Sequence, residues 1–317
     1  MKKPPALHFR PGEVLAVDDQ LAQLIVAHGG RLEVEQAGGL AGPMVQSGRG
    51  GRGGSRKGTA VIPVSGFLTQ HVHVPPYITS TEAVKAGVAA ALEDSSVSNI
   101  VLAINSGGGQ VMGVPELAAA IRSARAQKPV LAAVNSFAAS AAYYIASACS
   151  RILATPSGEL GSVGVYMLHI DASKALEAQG LKVTMIARGT GKTWGNPYEP
   201  LAPEALADSQ QAVDRLYNMF VRDVAAGRGL PADKIRNGWG ARAVGAEQAV
   251  SLGMADAVAP FDEVLALAAR SVPATNALSY QEECRMKLAK HEAEDQAEAE
   301  REARRRSALL LRMRAVS

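Results

Sequence analysis

Residues 130–144 read Val130-Leu131-Ala132-Ala133-Val134-Asn135-Ser136-Phe137-Ala138-Ala139-Ser140-Ala141-Ala142-Tyr143-Tyr144. The opening apolar run is short and has no polar face, the pattern of a strand buried on both sides. Small helix-forming residues take over beyond it, and a helix is expected from about Ser140. A buried strand that feeds directly into a helix is the basic step of an α/β domain. At that junction the Ser140 hydroxyl sits near the positive end of a helix dipole, beside first-turn N–H groups that lack intrahelical partners. Such amides can hold a developing oxyanion if a second donor approaches. A serine there can equally serve as a plain helix cap, and the stretch read alone favours the cap.

The same alternation extends both ways. Upstream, Val61-Ile62-Pro63-Val64 reads as a strand, and Val84, Val88 and Leu92 mark one face of a helix. Ile100–Ile104 is a buried-type strand running into Gly107, Gly108 and Gly109, and Leu117 and Ile121 mark the next helix. Downstream, strands are expected near Ile152, over 163–168 and over 181–186, with a helix over 172–179 between the last two. A long helix then runs from about Pro203 to Ala225, its stripe of Leu206, Val213, Leu216, Phe220 and Val224 facing a core. The fold class is α/β with mostly parallel strands.

Around this domain, placed at 59–275, the chain changes character. Residues 1–36 are mixed, with a short helix expected over 20–26. Residues 37–58 are glycine-rich and broken by Arg49, Arg52 and Arg56, a flexible linker. An Arg-Gly tract can contact RNA, but this one is short and lacks interleaved aromatics. Residues 276–317 form a charged tail, helical or disordered, in which Glu300–Arg304 and Glu302–Arg306 pair favourably at four-residue spacing.

A net charge of +3 on 317 residues gives no argument for a nucleic-acid partner. Cys149 and Cys284 lie far apart and form neither a disulfide framework nor a metal pattern, so a reducing compartment is expected. No apolar run of about 18 residues is present, and Lys2-Lys3 is not followed by one. The expectation is a cytoplasmic protein with no membrane partner.

Two further segments bear on chemistry. Asn105-Ser106-Gly107-Gly108-Gly109 ends a strand, where α/β sheets bind ligands and where glycines let backbone approach closely. Gln110-Val111-Met112-Gly113 follows without a Lys-Ser/Thr pair, so a phosphate-binding loop is excluded, although a plain turn is not. A nucleophilic serine also needs a base. Of His8, His28, His71, His73, His169 and His291, only His169 lies in the central region, and its strand-like surroundings fit a structural role better. A desolvated lysine can serve instead. Lys192, in Gly189-Thr190-Gly191-Lys192-Thr193-Trp194-Gly195-Asn196-Pro197, is the leading candidate, with Lys174 and His169 behind it. Most lysines are simply solvated, and Lys192 read alone is one of them.

In combination, residues 59–270 resemble the signal peptide peptidase A family of serine proteases, within the Clp-protease/crotonase fold superfamily. The resemblance rests on Asn105–Gly109, on Ala139–Ala146, on Gly161-Ser162-Val163-Gly164-Val165, and on the lysine segment, in that order. The run from Lys192 to Pro200 is similar to the tailed-phage and prophage branch, the capsid-assembly proteases. The resemblance implies a Clp/crotonase-like fold of repeated ββα units and a homo-oligomer. It makes Ser140 the nucleophile and Lys192 the base, with an oxyanion hole from the N–H groups of Ala141 and of Gly108 or Gly109. It calls for no metal and no cofactor. Its substrates would be scaffold, portal or capsid proteins, met in the host cytoplasm or inside a prohead. A family peptidase acting on other peptides and an inactive assembly protein are the alternatives. The Ser140 and Lys192 contexts speak against a crotonase-type acyl-CoA enzyme.

Overall fold

The computed structural model describes residues 58–73 and 77–264, the backbone of four short strands before them, and Arg301 and Arg304, which are helical and exposed. Those four strands are β1 (Ala6–His8), β2 (Val14–Val17), β3 (Arg31–Glu33) and β4 (Met44–Gln46). The helix expected over 20–26, and all of the 276–317 tail except those two arginines, lie outside the described residues.

The centre is a parallel array of β5 (Gly58–Thr69), β7 (Val97–Gln110) and β8 (Val130–Ala139). Ala60 pairs with Ile100, and Ile100 in turn with Val130, and both registers hold through Val64, Ile104 and Val134. Period-2 alternation explains why these strands are apolar throughout. Ile100, Leu102 and Ile104 pack in the main core with Val84 and Val88 of α1 (Thr81–Glu93) and Leu117 and Ile121 of α2 (Val114–Ala124). Val101 points the other way, into a smaller cluster with Val61, Leu131, Leu153 and Val264. Helix α1 follows the short strand β6 (Ile78–Ser80), whose last residue caps it: Ser80 Oγ accepts the Ala83 N–H at 3.2 Å.

Helix α3 (Ala141–Ser147) comes straight off β8, and all seven of its residues are buried. Its alanines let it lie against the sheet without a polar face. The chain continues through β9 (Arg151–Ala154), β10 (Glu159–Gly161), β11 (Tyr166–Met167) and the short helix α4 (Ser173–Ala178). Strand β10 lies parallel to the end of β8, pairing Phe137–Ala139. Then come α5 (Pro203–Arg228), a π-helix (Lys234–Trp239), β12 (Ala243–Gly245), α6 (Ala246–Ser251) and β13 (Ala257–Val258). The sheet is mixed and dominated by parallel pairs, as the alternation predicts. Strand β4 falls within the stretch read as a linker and runs antiparallel to β5, with Met44 opposite Val61.

Two expectations need revision. No strand forms over 181–186; Leu181, Val183 and Ile186 are exposed, because no described strand of this chain offers them a ladder. The apolar stripe of α5 faces the core only in its C-terminal half, where Phe220 and Val224 are buried while Leu206 is exposed. That half crosses α3 closely: a Cβ on Gly227 would come within 2.1 Å of the Ser147 carbonyl oxygen. Above the crossing, the Tyr144 ring stacks on Phe220 at 4.6 Å and its hydroxyl donates to Asp223 at 2.5 Å.

The C-terminal part of the domain is fastened by a nearly buried ion pair. Arg228 donates to both Asp256 carboxylate oxygens, at 3.1 and 2.9 Å, and the Ile152 N–H donates to the same carboxylate at 2.7 Å. Burial pushes the Asp256 carboxyl up, but the Arg228 charge and these hydrogen bonds outweigh it and hold the group below its ordinary value of 3.8. A lowered folded value means that the carboxylate stabilises the fold above its ordinary value and loses that contribution as pH falls through the lowered one. Asp256→Ala should therefore cost about 3–5 kcal/mol at pH 7, because Arg228 is left buried and uncompensated. Urea unfolding at pH 7 and at pH 3 checks this, with the gap between wild type and variant narrowing at the lower pH.

Candidate active site

Strands β7 and β8 stay paired only as far as Ser106 and Ala138, the last pair before they part. Strand β8 then ends at Ala139, and Ser140 follows with φ 53° and ψ −120°, in a region few non-glycine residues occupy. Among the described residues the other non-glycine residues with positive φ are Ser136 (103°) and Ser162 (53°), so strain gathers on the segments that flank this point. The elbow is held from outside. The Ser140 N–H donates to the Gly161 carbonyl at 2.7 Å, and the Ser162 N–H to the Arg242 carbonyl at 2.9 Å.

Ser140 is 1% exposed and makes no side-chain cap of α3. Its Oγ turns off the helix and donates to the Gly164 carbonyl at 3.3 Å. The cap reading favoured by the local sequence thus gives way to a strained serine beside the first-turn amide of Ala141, which the helix leaves without an intrahelical partner. Cys149, two residues past the end of α3, is a poor rival nucleophile, since burial pushes its thiol up to about 12.

The glycines prove to be strand rather than turn, for β7 runs on through them to Gln110. Gly109 is irreplaceable sterically: a Cβ there would lie 2.1 Å from the Leu68 carbonyl oxygen of β5. Gly108, at φ 102°, donates its N–H to Ser106 Oγ at 3.1 Å, and that hydroxyl donates to the Gly66 carbonyl at 2.6 Å. Nothing in the sequence marked Ser106 for this part.

Lys192 stands apart. It is exposed, and its ammonium makes no hydrogen bond or ion pair with any described residue, Ser140 included. Its loop is nonetheless well built. Gly189 and Gly191 have φ of 105° and 77°, and consecutive turns bond Lys192 N–H to the Gly189 carbonyl and Trp194 N–H to the Gly191 carbonyl. Asn196 closes the loop, its Nδ2 donating to Thr193 O and Glu199 Oε1, both at 2.7 Å. His169 Nε2 lies 2.9 Å from the Asn196 carbonyl, so this histidine braces the lysine loop and does not contact Ser140. Lys174 is exposed.

Beside Ser140 lies a small apolar pocket, with room for little more than a water molecule. Val111, Ala141 and Val165 wall it on one side, and these are chain neighbours of the glycine strand, of Ser140 and of Gly164. Leu216 and Phe220 of α5 wall it on the other, with Tyr144 between. Sequence reasoning assigned the Leu216–Phe220 stripe to the core and overlooked Tyr144. Only the packing of α5 across α3 shows that both face this pocket. No described helix is long and apolar enough to cross a membrane.

Comparison with known proteins agrees with the motifs. Residues 122–274 match the model of Peptidase family S49. The chain is 37% identical over 202 residues to the head-tail preconnector protein GP5 of Enterobacteria phage P21, covering 63% of this chain and 40% of that one. It is 36% identical over 202 residues to the capsid assembly protease C of Escherichia phage lambda, covering 63% and 46%. It is 26% identical over 219 residues to the chloroplastic serine protease SPPA of Arabidopsis thaliana, covering 68% and 32%. The resemblance to the signal peptide peptidase A family and its phage branch is borne out. The match spans less than half the length of either phage relative.

If the Ser140 backbone is strained, glycine relieves it and alanine does not. Ser140→Gly should be more stable than Ser140→Ala by about 1 kcal/mol, the strain relieved exceeding glycine's added unfolded-state entropy. Denaturant midpoints measure the difference, and equal midpoints would remove the strain argument.

Proposed function

We propose that the chain is a serine endopeptidase, with its protease domain at 59–275, that trims scaffold, portal or capsid proteins during head maturation of a tailed phage or prophage. The observation that carries this reading is the Ser140 elbow, where a buried hydroxyl is held off its helix next to a first-turn amide and an apolar pocket. The phage relatives named as capsid assembly protease and head-tail preconnector supply the biological setting. The parallel-dominated sheet is compatible with the Clp/crotonase-like architecture that the motifs imply.

In this mechanism Ser140 Oγ attacks a peptide carbonyl, and Lys192 takes its proton and returns one to the leaving amine. The Ala141 N–H and a glycine N–H, from Gly108 once Ser106 releases it or from Gly109, hold the oxyanion. Water then hydrolyses the ester by the same route in reverse order. Because Lys192 is exposed and bonds to no other side chain among the described residues, the dyad is completed in a homo-oligomer. The exposed Ile186, Trp194 and Tyr198 near Lys192 give that loop an apolar surface to bury there. That Ser140 Oγ bonds to the Gly164 carbonyl and to no base among the described residues also favours a second reading, a catalytically inactive assembly protein.

Purified wild type should cleave casein, and Ser140→Ala and Lys192→Ala should each lose at least about 10³-fold in rate. Mixing the two inactive variants distinguishes the arrangements. Recovery of a substantial fraction of wild-type rate means that Lys192 of one copy serves Ser140 of another. No recovery means that each chain completes its own dyad. Equal casein cleavage by wild type and Ser140→Ala contradicts the protease reading.

A further inference from the structure

Strand β2 (Val14–Val17) occupies an unusual place for a segment so far from the domain in sequence. On one side it lies antiparallel to the glycine strand, pairing Leu15 with Gln110, Ala16 with Gly109 and Val17 with Gly108. On the other side it lies antiparallel to β11, pairing Leu15 with Tyr166 and Val14 with Met167. These two partners are the walls of the gap that opens where β7 and β8 part, and Ser140 is the turn that opens it. Without β2, the β7 edge at Gly108–Gln110 and the β11 edge at Tyr166–Met167 would face each other across an open slot. Such a slot takes an extended peptide by strand addition.

The register is specific. Val17, the last residue of β2, pairs with Gly108 at the end of the slot nearest the β7–β8 split, while Val14 and Leu15 lie toward Gln110 and β11. A peptide in this direction presents the carbonyl of its final paired residue to the Ser140 end. That residue here is Val17, and the segment Val14-Leu15-Ala16-Val17 is apolar throughout.

We propose that Val14–Val17 is the enzyme's own substrate strand, filling the peptide cleft of each new chain, and that the bond after Val17 is a self-cleavage site. The step is an ordinary hydrolysis. Ser140 Oγ adds to the Val17 carbonyl, the Val17–Asp18 amide breaks with a proton going to the Asp18 nitrogen, and water releases Val17 as a free carboxylate. Until then the strand blocks other substrates. This inference rests on the protease reading, and the experiment keeps the two separable.

Full-length wild type and Ser140→Ala are incubated and followed by intact mass and N-terminal sequencing, with casein cleavage measured in parallel. Wild type should lose residues 1–17 and expose Asp18 as its new N-terminus, and Ser140→Ala should stay whole. Ser140-dependent casein cleavage by a chain that keeps residues 1–17 overturns the proposal and leaves the protease reading standing. A binding measurement tests occupancy without chemistry. In the Ser140→Ala chain, a labelled synthetic peptide spanning residues 11–20 should bind at least tenfold more tightly when Ala16→Pro is added to break the ladder. Equal affinity with and without Ala16→Pro overturns the occupancy.

Discussion

Strands β7 and β8 run together as neighbours and then must separate, because the chain after Ser106 continues straight through Gly107–Gln110 while the chain after Ala138 turns up into a helix. The turn is possible only with a left-handed backbone at Ser140, and the straight path only with glycine at 109, where β5 presses within 2.1 Å of a would-be Cβ. A gap beside β7 is thereby left, which β2 fills between β7 and β11, with Ser140 at the point of divergence. The proposed nucleophile and oxyanion donors would all be consequences of that single divergence. The strain is offset by hydrogen bonds from outside the helix, chiefly Ser140 N–H to Gly161 O.

Helix α5 turns this strained point into a defined site. It crosses α3 at Gly227 and holds Tyr144 by ring stacking on Phe220 and a hydrogen bond to Asp223. Burial and the Asp223 charge hold the Tyr144 hydroxyl above its ordinary value, so it stays a neutral donor. Tyr144 lies one helical turn beyond Ser140, its N–H bonded to the Ser140 carbonyl at 2.9 Å. The same contacts that place α5 therefore shape the pocket and brace the helix that follows Ser140.

Much of this was legible in the sequence, for physical reasons that differ by segment. The central strands announced themselves because they are apolar on both faces, and Pro203 marked the start of α5 correctly. Ser140 was recognisable only jointly with the glycines and Lys192, since alone it looks like a cap. The 181–186 segment misled because alternating apolar residues signal a strand only when a neighbour supplies the ladder. Ser106, Tyr144 and Asp223 were not legible, because their roles depend on contacts made across 40 or 79 residues of chain, or on a buried stack between helices. The placement of Val14–Val17 was equally hidden, as four apolar residues in a mixed segment do not name the edge they will join.

The central claim is that Ser140 is a nucleophile and not a structural serine. Its most direct test is acyl trapping. The protein is incubated with the p-nitrophenyl ester of a short apolar acyl-peptide, quenched in acid, digested and mapped by mass spectrometry. A single acyl adduct on Ser140 is the predicted result. An adduct on another residue, or none from protein that turns the ester over, would contradict it.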